Sequence, residues 1–262
     1  MKYSNCMLHF VVLFLFLMPS ATASDFAREQ RMADEIVDAI LDGEAVFLEA
    51  NNHEFLTIYA ETDDARGTAV ILHGRGFHPD WQDVVKPLRV GLLESGWNTL
   101  SVQMPVLEKQ AKYYDYVPLF PAALARIEAA IAFARSQLKD NKQSDKVVLI
   151  AHSCGVHMAM AWNDVESFES IDAFVGISMG ATDYKQPMKK PFPLEKIKVP
   201  VLDVYAANDY PAVLKMAPER WRSIQAAGNK KSRQVVVPDA AHYYVDRGDA
   251  LISVISDWLD TL

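Results

Sequence analysis

Lys146-Val147-Val148-Leu149-Ile150-Ala151-His152-Ser153-Cys154-Gly155 is an apolar, β-branched run that ends in small-x-Ser-x-Gly and opens into a helical pattern. A strand, a tight turn and a helix in that order present a serine hydroxyl over the end of a sheet. The residues flanking the serine need little side-chain room there, as Ala151 and Gly155 provide. The first amides of the following helix add a positive dipole, and the Cys154 N–H is expected to face a developing oxyanion.

Outward from this stretch the chain alternates. Gly67 to Gly74 reads as a buried strand with a glycine-rich exit, and a helix near Gln82 to Ser95 leads to a strand at Thr99 to Met104. A helix near Phe120 to Leu138 precedes the Val147 to Ile150 strand. Strands at Ala173 to Ser178, Val199 to Tyr205 and Gln234 to Val237 follow, with helices after Ser153, near Ala212 to Ala226, and from about Asp249 to Leu259. Upstream, Asp25 to Leu41 has helical spacing, and Ala45 to Glu49 with Phe55 to Ala60 reads as a hairpin of edge strands around Asn51-Asn52. Continuous apolar strands between amphipathic helices specify an α/β fold with a mostly parallel central sheet covered on both faces. Catalytic groups then belong at the carboxyl ends of the strands.

Composition bounds the function. The 262 residues carry 26 Lys and Arg against 34 Asp and Glu, a formal charge of −8, with no basic cluster, so nucleic acid is not an expected partner. Residues 1–23 read as a signal peptide: Lys2 gives a positive start, Met7 to Met18 an apolar core, and Ala21-Thr22-Ala23 a cleavage site. The expectation is an exported, most simply periplasmic, protein whose single domain spans 24–262, with no stable membrane span after cleavage. Cys6 leaves with the signal, so Cys154 is the one remaining cysteine and stability must come from packing rather than a disulfide.

A serine is a weak nucleophile at its free pKa and needs a base within hydrogen-bond reach. His242 follows the last strand in Val237-Pro238-Asp239-Ala240-Ala241-His242 and is the expected base. Asp209, where Val201 to Asn208 runs into a turn, is the expected acid that orients it. Asp183 after the preceding strand is its rival, while Asp203 lies within a strand. In His73-Gly74-Arg75-Gly76 the Arg75 N–H is the expected second oxyanion donor beside Cys154. Phe77 and Trp81 in the same loop, with Tyr210 and Tyr243 beside the acid and base, are expected to line the substrate cleft. An aromatic run at Tyr113, Tyr114 and Tyr116 reads as rim or packing. His152 and His157 have no companion ligands at metal-binding spacing, so neither metal nor other cofactor is expected.

The order Ser153, Asp209, His242, with a His-Gly loop upstream, resembles the α/β-hydrolase superfamily. More narrowly, Leu72-His73-Gly74-Arg75-Gly76-Phe77-His78-Pro79-Asp80-Trp81, followed by Gly96-Trp97-Asn98-Thr99-Leu100, resembles an uncharacterised group of exported proteobacterial proteins assigned to that fold. The resemblance implies the fold and a hydrolase, without a substrate. The chain departs from the family in having Ala151 where glycine is usual and Cys154 after the serine. Between Ser178 and Pro200 there is only a short Pro- and Lys-rich connection, so no large lid is expected. The expected activity is a serine hydrolase cleaving a carboxylic ester or similar small-molecule acyl substrate. Acyl transfer or peptide hydrolysis by the same residues, and a non-catalytic envelope binding or assembly role on this fold, are the alternatives.

Overall fold

Residues 24–138, 146–166 and 168–262 are described in the computed structural model. The signal peptide read over 1–23, with Cys6, lies outside the described residues. Among the described residues eight strands form one sheet: β1 (Glu44–Ala50), β2 (His53–Ala60), β3 (Gly67–Leu72), β4 (Asn98–Val102), β5 (Lys146–His152), β6 (Ala173–Ile177), β7 (Val201–Asn208) and β8 (Arg233–Ala241). Their spatial order is β1-β2-β4-β3-β5-β6-β7-β8. The β1–β2 and β2–β4 pairs are antiparallel, and every pair from β4 through β8 is parallel.

Local chemistry explains the elements. Asn51 and Asn52 both have φ near +55°, at 52° and 58°, the backbone a two-residue hairpin turn demands, and Ala50 pairs with His53 across it. Of the two hairpin strands β1 alone is an edge, however, since β2 is enclosed between β1 and β4. The central parallel strands β3, β5 and β6 are buried on both faces and so carry apolar runs.

Helices supply the cover: α1 (Phe26–Ile36), α2 (Val85–Glu94), the single turn α3 (Tyr113–Tyr116), α4 (Leu124–Leu138), α5 (Cys154–Glu166), α6 (Pro211–Ala226) and α7 (Gly248–Leu259). Along β5, Leu149 and Ala151 join the layer of α4 and α5, while Val148 and Ile150 join that of α2 and α7. The alternation follows from the two-residue side-chain period of a strand. Tyr113–Leu138, a continuous helical stretch through α3 and α4, is by length and composition alone long and apolar enough to cross a membrane. Here its Ile127, Ala130, Ile131 and Ala134 pack into the core cluster on one face of the sheet. Between β6 and β7 the connection carries one 3-10 turn, Leu194–Lys196, and no helical lid.

Candidate active site

The β5–α5 turn forces Ser153 to φ +54°, left-handed backbone that a non-glycine residue adopts only when its surroundings impose it. The cause is packing. A Cβ at Gly155 would stand 2.7 Å from the His73 carbonyl oxygen and 2.9 Å from that of Leu72, so only glycine lets the start of α5 press against the exit of β3. Ser153 N–H donates to the Ile177 carbonyl at 2.9 Å, which fixes the turn to the neighbouring strand.

A register irregularity on the other side of the sheet brings the partners in. Ala206 pairs with Val237, but the next pair is Asn208 with Ala241, so β8 carries extra residues across Pro238, Asp239 and Ala240. Asp239 takes φ +55° within this bulge. The residues that follow each strand, Asp209 and His242, are thereby set side by side. Ser153 Oγ lies 2.9 Å from His242 Nε2, and His242 Nδ1 lies 2.7 Å from Asp209 Oδ1. An ionised carboxylate can only accept, so Nδ1 carries the proton and Nε2 is left to accept from the Ser153 hydroxyl.

All three residues are buried. Burial opposes ionisation of Asp209, but hydrogen bonds from His242, the Ser178 hydroxyl at 2.5 Å and the Tyr210 N–H at 2.7 Å outweigh it and hold the carboxyl below its ordinary value. Asp183 does not reach His242. It forms a two-pronged ion pair with the Arg75 guanidinium and accepts the Tyr113 N–H at 2.7 Å. Asp203 is taken up by Arg220 of α6, 2.9 Å away.

Two other histidines hold the frame. His152 Nε2 donates to the His242 carbonyl at 3.1 Å, and burial pushes its pKa down to about 3, so it is a neutral strut behind His242. His73 Nε2 accepts from the Met104 N–H at 2.9 Å, while Nδ1 donates to the Gly74 carbonyl at 2.7 Å. Burial pushes it too down to about 3, and it anchors the loop that carries Arg75. Arg28 of α1 grips the same loop, donating to the Gly76 carbonyl at 3.0 Å.

Arg75 and Cys154 both border the cleft above Ser153 and His242, with Phe77, Tyr113, Ala181, Thr182, Tyr210 and Tyr243. The Cys154 thiol is buried and pushed up to about 12, so it is no rival to the serine hydroxyl. Trp81 is not part of the lining. Its ring stacks on Phe77, with centroids 4.1 Å apart and planes 5° apart, because the loop folds Phe77 inward and leaves Trp81 as its backing. Tyr210 lies flat on the His242 ring, and its hydroxyl meets that of Tyr243 at 3.0 Å. Tyr113, read from the sequence as rim or packing, is part of the lining, whereas Ala181 and Thr182, which also line it, and Ser178, which donates to Asp209, escaped the sequence reading, since topology alone brings them to the site. Among the described residues no group of three His, Cys, Asp or Glu side chains is placed to hold a metal ion.

Residues 19–117 match the model of a family described as "Protein of unknown function (DUF3530)". No curated protein matches the chain. Solved structures do: dienelactone hydrolase from Anabaena variabilis superposes with a TM-score of 0.62 at 17% identity, over 84% of this chain and 97% of that one. A Pyrococcus furiosus esterase gives a TM-score of 0.63 at 18% identity, over 84% and 92%. Est1E from Butyrivibrio proteoclasticus with ferulic acid bound gives 0.64 at 14%, over 82% and 98%. With its strand order and the turn at Ser153, the chain has the α/β-hydrolase fold.

Proposed function

We propose that this protein is a serine hydrolase that cleaves a carboxylic ester or similar acyl substrate through an acyl-enzyme. The observation that carries the reading is the unbroken hydrogen-bonded chain from Ser153 Oγ through His242 to Asp209 at the carboxyl ends of three parallel strands. Ser153 Oγ attacks the carbonyl carbon as His242 Nε2 takes its proton, and the ionised Asp209 stabilises the imidazolium. The carbonyl electrons move onto oxygen, where the backbone N–H groups of Cys154 and Arg75 receive the charge. His242 returns the proton to the leaving alcohol as the C–O bond breaks. Water, deprotonated by the same imidazole, then releases the acid and restores Ser153.

The esterases and hydrolases among the similar structures support this class of reaction without specifying a substrate. Within the same reading the protein acts outside the cytoplasm, on the strength of the apolar segment and small-residue site in 1–23.

The test is labelling of the purified chain from Ser24 onward by a fluorophosphonate, with intact-mass and peptide mapping. One adduct per chain, on Ser153, is expected, and both Ser153→Ala and His242→Ala should abolish it. A folded wild-type protein that takes up no label would sink the proposal in favour of a binding role.

A further inference from the structure

The cleft directly above Ser153 leaves only about 20 Å³ for water-sized contents, and by the same measure one water needs roughly 10–15 Å³. It has room for a reacting carbonyl and little more. An adjoining groove offers about 520 Å³. Thr182 and Tyr210 line both, so the two are joined at the cleft's edge.

The groove runs between the connection that follows β6 and the first turns of α6. Pro187, Met188, Pro211, Ala212 and Met216 give it an apolar wall, while Asp183, Tyr184, Gln186 and the exposed Lys185 and Lys215 also line it. Met216 packs against the connection that follows β6: a Cβ at Gly180 would meet its methyl at 2.4 Å. Thioether side chains adapt to apolar ligands of irregular shape, and lysine stems extend apolar walls while their ammonium groups stay in water.

We propose, resting on the hydrolase reading above, that this groove holds an extended apolar chain of the ester, so that the preferred substrates are long-chain esters rather than acetyl esters of short alcohols. The small volume at the nucleophile compels the bulk of a substrate to lie elsewhere, and the groove is the apolar space continuous with it. Each methylene drawn from water into the groove is worth about fourfold in kcat/KM by its transfer free energy.

Two measurements on the full chain test this, using Ala212→Trp, which fills the groove from the surface of α6, and Met216→Asp, which charges its wall. The first is binding of 11-(dansylamino)undecanoic acid to Ser153→Ala protein, followed by dansyl fluorescence. The probe should bind, and each groove substitution should weaken it at least tenfold. The second is the ratio of kcat/KM for p-nitrophenyl octanoate to that for p-nitrophenyl acetate, beside the ratio for octyl acetate to ethyl acetate. At least one ratio should exceed ten in the wild type and fall tenfold or more in both variants; which one does so assigns the groove to the acyl or the alcohol side. Ester turnover with ratios and probe binding indifferent to both substitutions overturns the groove and leaves the hydrolase reading standing. Groove-dependent probe binding with no turnover of any ester keeps the groove and overturns the hydrolase reading, and the absence of both overturns both.

Discussion

Tyr210 covers the imidazole of His242 with its ring centroid 3.9 Å away and the planes 14° apart. In the proposed reaction the imidazole becomes a cation beneath an aromatic face as Ser153 gives up its proton, and the face's negative quadrupole attracts the charged form more than the neutral one. Under that proposal the stack favours the transition state over the resting state, by about 0.5 to 2 kcal/mol. Tyr210→Phe retains the face and loses only the bond to Tyr243, so its kcat on an ester should stay within about threefold of wild type. Tyr210→Leu retains apolar cover without the quadrupole and should lose about twofold to thirtyfold in kcat, the factors matching those energies. Equal kcat in Leu and Phe variants would show that the ring acts only as a cover. The stack itself was legible only as adjacency: Tyr210 and Tyr243 follow the acid and the base in the chain, which marks them as neighbours but says nothing of ring orientation. Ser153 and His242 were legible because strand and turn signals surround them. Trp81 misled because a loop of several aromatics gives no clue to which ring turns inward.

Strand ends set the geometry at the next scale, and the decisive one is irregular. The sequence reading ended the last strand at Val237, where Pro238 and Asp239 interrupt the apolar run, whereas β8 continues as a bulge to Ala241 and delivers His242 to Asp209. A proline is tolerated there because β8 is an edge strand. Loops from two other strands are clasped across the cleft by Arg75, after β3, and Asp183, after β6. Hydrogen bonding from Arg75 holds the Asp183 carboxyl below its ordinary value. A depressed folded-state pKa means that the pair stabilises the fold above the unfolded carboxylate value, about 3.9, and loses that contribution as pH falls through the folded value. Both side chains are partly exposed, so the effect is modest. Asp183→Asn should lower the midpoint of thermal unfolding by about 1–3 °C at pH 7, consistent with a pair worth up to about 1 kcal/mol. The gap should close as pH is lowered below about 3.9. A difference that persists unchanged into acid would show that the carboxylate charge is not what the clasp uses.

The whole molecule is one sheet between two apolar layers, and that much follows from the alternation of buried strands and amphipathic helices. What the alternation does not reveal is the order in which strands sit side by side, because every β–α unit looks alike along the chain; the crossing that puts β3 between β4 and β5 is a property of the assembled sheet. The layers are separate clusters, one containing Leu149 with α4 and α5, the other containing Leu251 with α2 and α7. Both leucines are fully buried. Truncating either removes transfer free energy and leaves a cavity, at a cost of about 2–5 kcal/mol. Since the two belong to different clusters on opposite faces of the sheet, the cavities share no wall, and relaxation around one gives no relief to the other. The costs of Leu149→Ala and Leu251→Ala should therefore add in the double variant to within about 0.5 kcal/mol, measured by urea unfolding. A sum that misses by more than about 1 kcal/mol would mean that the sheet transmits strain from one layer to the other. In that case α7, which follows His242, would be mechanically coupled to the layer in which α5 begins beside Ser153, and core substitutions far from the cleft would be expected to reach it.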